Sequence, residues 1–143
     1  MRIAEILSRK PTPGVVTIRA DESVRALLGV LAEHRIGACI VSPDGTELAG
    51  IVSERDVVRH LHDDETLPDR QVGEIMTSEV VTCAPDATVD DLMSLMTERR
   101  IRHLPVVEEG RLIGLVSIGD LVKHRIDELT FERDQLEAYV HQA

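Results

Sequence analysis

The sequence predicts an α/β (α+β) fold built from two β-α-β-β-α units packed with pseudo-twofold symmetry, plus a C-terminal amphipathic helix. The chain repeats itself. Val15-Val16-Thr17-Ile18, Asp21, Ser23-Val24, Leu27-Leu28 and Ile36 return sixty-five places on as Val80-Val81-Thr82-Cys83, Asp86, Thr88-Val89, Leu92-Met93 and Ile101. After one deleted residue the offset is sixty-four, pairing Gly50-Ile51-Val52-Ser53-Glu54-Arg55-Asp56 with Gly114-Leu115-Val116-Ser117-Ile118-Gly119-Asp120. Within each unit the apolar spacing alternates between a period of two and one of 3.6, strand and helix in turn. Units of about fifty residues are small for independent folding and gain stability by packing on each other.

Residues 1–14 read as an arm with a short helix, in which Ala4-Glu5-Ile6-Leu7 is echoed by Gly73-Glu74-Ile75-Met76 ahead of the second unit. The first unit, 15–62, opens with a strand at Val15-Val16-Thr17-Ile18. Asp21 then caps a helix whose Val24, Leu27, Leu28 and Leu31 share one face, and Gly37 sits where that helix ends. Two β-rich runs, 38–42 and 48–52, are joined by Pro43-Asp44-Gly45, a turn signal. A second helix begins at Ser53. His62-Asp63-Asp64-Glu65 and Leu67-Pro68-Asp69 mark a linker, so 63–76 holds linker and short helix. The second unit, 77–126, repeats the order, with strands at 80–83, 104–107 and 112–116, Asp86 as the cap and a last helix from Ser117. Residues 127–143 carry Leu129, Leu136, Tyr139 and Val140 among charges, an amphipathic helix that folds back on its own chain or packs on a second copy.

Composition narrows the function. Sixteen basic residues against 26 acidic ones give a net charge of −10, and the only large rings are Phe131 and Tyr139. Nucleic acid needs positive charge and, when single-stranded, aromatic faces for stacking, so no nucleic-acid partner is expected. The same balance disfavours an anionic membrane surface. No apolar stretch approaches membrane-spanning length, and the opening MRIAEILSRKP is too short and interrupted for a signal peptide, which leaves the cytoplasm as the expected address. Cys39 and Cys83 stand singly in strand-like runs and read as small buried hydrophobes. His60 and His62, two apart on a helix, face away from each other and make no metal site.

The constellation with chemical content is Gly-x-x-Ser-x-x-Asp, which occurs twice, each time where a strand turns into a helix. Ser followed three residues later by an acid is a capping box in its own right. The glycine and the acid nevertheless recur together, although neither cap nor strand requires both. A helix N-terminus offers amide donors to a phosphate, and a carboxylate one turn in can accept both hydroxyls of a ribose. Asp56 and Asp120 then hold sugar, and Ser53 and Ser117 bridge sugar and phosphate. That chemistry points to a nucleotide.

With Ile101-Arg102-His103-Leu104-Pro105-Val106-Val107 added, these motifs resemble a tandem CBS-domain pair, named for cystathionine β-synthase, over nearly everything from Ala4 to about Ile126. The resemblance implies a regulatory module binding adenosyl ligands in the cleft between the units. It matches Thr17 and Thr82 to the strand edge facing the adenine, and Ala38-Cys39 and Leu104-Pro105 to the strand whose backbone reads the base. It matches Arg102 and His103 to groups that reach phosphate, sometimes across the cleft. The first copy has Gly37 and Ala38 in their place, so the pockets are expected to fill unequally, with Arg55 supplying charge to the first. The resemblance also implies a flat homodimer.

The resulting expectation is a non-enzymatic sensor of AMP, ADP or ATP, with NAD or S-adenosylmethionine as other adenosyl ligands. It requires no cofactor and signals to an unidentified effector protein through a ligand-dependent dimer geometry. A structural dimerisation module with degenerate pockets is the competing reading, and an enzyme acting on the nucleotide the third.

Overall fold

The computed structural model describes residues 1–10 and 14–142; residues 11–13 of the expected arm and Ala143 of the expected terminal helix lie outside them. After helix α1 (Ile3–Ser8), the first unit places β1 (Thr17–Ile18) parallel to β2 (Ala38–Val41), which pairs antiparallel with β3 (Gly50–Ser53). Helix α2 (Val24–His34) connects β1 to β2, and α3 (Glu54–Asp63) follows β3. The second unit has α4 (Val89–Arg99), the antiparallel pair β4 (His103–Glu108) and β5 (Arg111–Ser117), and α5 (Ile118–Gln142).

The expected strand at 80–83 shrinks to one residue: Cys83 alone bridges Val106, in parallel. Pro105 explains this. Its counterpart in the first unit is Ile40, which pairs with Thr17 in the β1–β2 ladder. Proline has no amide hydrogen to donate, so only Cys83 N to Pro105 O (3.0 Å) and Val107 N to Cys83 O (2.9 Å) remain. The caps also differ from the expectation. Ser23 accepts from Ala26 N (3.1 Å) and Thr88 from Asp91 N (3.2 Å), since a cap must directly precede the first helical residue. Asp21 instead pairs with Arg19. Gly37 does not end α2; Arg35 does so in the left-handed region (φ 54°), and Arg100 repeats this after α4.

Two hydrophobic cores form, and the segments that precede the units are exchanged between them. Ile3 and Ile6 of α1, ahead of the first unit, are buried with Val89, Leu92, Met96, Leu104 and Leu121 of the second. Val72 and Ile75, ahead of the second unit, are buried with Val24, Leu27, Val52 and Val57 of the first. The expected short helix there is a 3₁₀ turn, Val72–Glu74, preceded by another at Leu67–Asp69 whose Leu67 joins the same core. The segment read as a linker is therefore part of the first unit's packing. Each preceding segment crosses the glycine of the repeated motif. An added Cβ on Gly50 would stand 2.8 Å from Thr77 O and Met76 Sδ, and one on Gly114 would stand 2.6 Å from a Leu7 methyl.

The second unit's last helix and the expected C-terminal helix are one unbroken element, α5. Its terminal half does not fold back: Leu129, Phe131, Leu136, Tyr139 and Val140 are all exposed, Tyr139 by 74%.

Candidate functional site

Both repeated turns are built as capping boxes. Ser53 N and Ser53 Oγ donate to Asp56 Oδ2 (2.9 and 3.1 Å), and Asp56 N donates to Ser53 Oγ (3.3 Å). In the second copy, Ser117 N donates to Asp120 Oδ2 (2.9 Å) and Asp120 N to Ser117 Oγ (3.1 Å). The capping role and a ligand role do not compete for the same atom. Every bond to either carboxylate falls on Oδ2, leaving Oδ1 without one among the described residues. The amide donors are more heavily committed than the sequence suggests. Glu54 N is bonded to Gly37 O (3.0 Å) and Ile118 N to Arg102 O (2.8 Å), in addition to the capped amides. An anion at these turns must therefore be held chiefly by side-chain cations.

The two turns open into two cavities between the units, related by the repeat and sharing Gly37, Ala38 and His103. The first, of about 640 Å³, combines Ser53, Arg55, Asp56 and Arg59 of the first unit with Val80, Val81 and the stretch from Arg99 to His103 of the second. The second, of about 450 Å³, combines Ser117 and Asp120 of the second unit with Val15, Val16 and the stretch from His34 to Ala38 of the first, plus Lys10. Each cavity thus takes its carboxylate from one repeat and its opposite wall from the other. Strand pairing sets this geometry: Ser53 lies opposite Ala38, and Ser117 opposite His103.

Of the residues singled out from the sequence, Ala38, Ser53, Arg55, Asp56, Arg102 and His103 line the first cavity, and Ala38, His103, Ser117 and Asp120 the second. Thr17, Cys39, Thr82, Leu104 and Pro105 are outside both linings, and Cys39 and Leu104 are fully buried. Burial pushes the Cys39 and Cys83 thiols up to about 11, so neither is an activated nucleophile. The crossing reverses the expected shortage of charge. Arg102 lines only the Asp56 cavity, whereas Gly37, Ala38 and His103 line both, so the added cation faces the first copy's carboxylate. The sequence reading also passed over Arg99 and Arg100, whose signal was the basic run Arg99-Arg100-Ile101-Arg102, and Arg59, which lies outside that run on α3.

Lys10 was another omission. Its ammonium donates to Asp120 Oδ2 (3.0 Å) and Leu115 O (2.8 Å), bringing a cation from the arm into the second cavity. Burial raises the Asp120 carboxyl, but the Ser117 amide, the Lys10 ammonium and the Ser117 hydroxyl outweigh it and hold the group below its ordinary 3.8. A carboxyl lowered in this way contributes stability above the unfolded value, which is lost as pH falls through the folded value. Lys10→Ala is expected to lower stability at neutral pH by about 1 kcal/mol and to move acid unfolding to higher pH. Melting curves across acidic buffers check this, and an unchanged acid limb contradicts it. Burial lowers the His103 imidazole from its usual value; Asp120 opposes this, Arg102 and Lys10 add to it, and Glu54 opposes it. His103 therefore favours the neutral ring that both cavities share.

This architecture defines a class: a duplicated α/β unit whose two clefts are each completed by the opposite repeat. The chain belongs to the CBS-domain family, whose model matches residues 3–63 and 72–127. A CBS-domain-containing protein from Agrobacterium tumefaciens is 40% identical and superposes with a TM-score of 0.83 over 87% of this chain and 99% of that one. A mitochondrial CBS-domain-containing protein of Arabidopsis thaliana is 38% identical over 125 residues, 84% of this chain. The chain spans 61% of that relative's length. A CBS-domain pair solved in complex with 5′-methylthioadenosine and S-adenosyl-L-methionine is 25% identical, with a TM-score of 0.77 over 90% of this chain and 98% of that one. No helix among the described residues is long and apolar enough to cross a membrane.

Proposed function

We propose that this CBS pair is a regulatory module that binds an adenine nucleotide, AMP, ADP or ATP, between its repeats and has no catalytic activity of its own. The observation that carries the reading is the pairing, in one cavity, of a capped Asp56 with a free Oδ1 and the Arg102 guanidinium from the other repeat. The carboxylate suits a ribose diol and the guanidinium a phosphate, the two polar parts of a nucleotide. The related pair that holds 5′-methylthioadenosine and S-adenosylmethionine supports the adenosyl half and keeps S-adenosylmethionine as a second candidate, with NAD.

Signalling needs two shapes with different ligand affinity, since a ligand shifts an equilibrium only by that difference. The exposed apolar residues of α5 fit contact with a second copy, so ligand-dependent geometry of a cytoplasmic homodimer is the proposed output to an effector protein. Thermal melting with AMP, ADP, ATP, NAD and S-adenosylmethionine tests the reading. An excess of about a hundredfold over Kd stabilises by about 2.7 kcal/mol, several degrees in Tm for a chain of this size. A dimer whose melting none of the five ligands moves at millimolar concentration is a structural assembly module instead.

A further inference from the structure

Five of the sixteen basic residues, Arg55, Arg59, Arg99, Arg100 and Arg102, line the Asp56 cavity. None of the five forms an ion pair or side-chain hydrogen bond among the described residues. Elsewhere arginines have found carboxylates: Arg19 pairs with Asp21, Arg25 with Asp69, Arg70 with Asp64, Arg125 with Glu128 and Arg133 with Asp134. In a chain with ten more acids than bases, five arginines without an ion pair in one cavity lining are a local reversal of sign. They outnumber the three carboxylates of the same lining, Glu54, Asp56 and Glu79. The Asp120 cavity differs. It has Arg35 and Lys10 as its fixed cations, and Lys10 is already bound to Asp120.

We infer that the two cavities select by phosphate number, and that the Asp56 cavity is a polyphosphate site built for a di- or triphosphate chain rather than a monophosphate. Guanidiniums bind phosphate oxygens as forked donors, and each added phosphate brings charge within reach of arginines that a single phosphate leaves unneutralised. Glu54 and Glu79 oppose the anion from the same lining but are too few to cancel the excess. The nucleoside half of the ligand rests on the function proposed above; the polyphosphate half does not.

Calorimetric titration of the intact protein with adenosine, AMP, ADP, ATP and inorganic tripolyphosphate separates the two. The site is identified as the binding step lost in Asp56→Ala. At that step, affinity is expected to rise roughly tenfold or more from AMP to ATP, and the gain is expected to vanish in an Arg59→Gln/Arg99→Gln protein, whose substitutions fall on exposed side chains. Equal affinity for AMP and ATP, or a preference that survives the double substitution, overturns the inference. Tripolyphosphate binding that the Arg59→Gln/Arg99→Gln substitutions abolish, with no response to any nucleoside compound, supports the anion site and removes the nucleotide reading. AMP binding with no gain from further phosphates does the reverse.

Discussion

Replacing Gly50 by valine is expected to lower stability by about 3 kcal/mol and Tm by about 10 °C, with a smaller loss for Gly114→Val. The two glycines are repeat partners in sequence, but different atoms lie over them. Above Gly50 lies backbone: Thr77 O, 2.8 Å from an added Cβ, held by Ile51 N to Thr77 O (3.0 Å) and Thr77 N to Ile51 O (2.9 Å). A valine there must break this bridge or push the segment leading into the second unit off β3. The atoms nearest an added Cβ on Gly114 belong to the Leu7 side chain, its methyls at 2.6 and 2.8 Å, and a leucine can change rotamer. Equal losses at the two sites, measured by thermal and urea unfolding, would show that the segments do not cross the glycines in the way described. The same contacts revise a sequence argument. The recurrence of glycine with the acid has a packing cause, so it carries no information about ligand.

Asp56→Ala is expected to weaken adenine-nucleotide binding at its cavity about a hundredfold, the effect of removing a charged acceptor from two hydroxyl donors. It also removes the partner of Ser53 N, so a stability loss of about 1 kcal/mol accompanies it. Asp56→Asn distinguishes the two effects. The amide retains an acceptor for the cap while removing the charge, so stability recovers more fully than affinity. Affinity unchanged in Asp56→Ala, with only the stability loss observed, would reduce the motif to a helix cap.

Much of this was legible in the chain because the repeat is strong. The order of elements, both capping boxes and the side chains of Ser53, Asp56, Ser117 and Asp120 at the cavities follow from local patterns, and local patterns are what a sequence exposes. The exchanged segments were not legible for a physical reason. Ile3 and Ile6 announce a buried helix face, but nothing in their spacing says which of two similar cores receives it. The crossing of the cavities is likewise a property of how the units pack, so spacing alone did not say that Arg102 joins Asp56 or that His103 lines both cavities. The lost strand at 80–83 was readable in principle, since Pro105 lies where a donor was needed, but only once the pairing was known. Lys10 sits in the arm, outside the repeat, and gave no periodic signal.

The central claim is that each cavity takes its carboxylate from one repeat and its opposite wall from the other. Calorimetric titration of ATP into Arg102→Ala, compared with Asp56→Ala and Asp120→Ala, tests it most directly, because Arg102 shares a unit with Asp120 but a cavity with Asp56. Arg102→Ala is predicted to weaken the binding step that Asp56→Ala removes and to leave the Asp120 step intact. Loss of the Asp120 step, with the Asp56 step unchanged, would contradict the account.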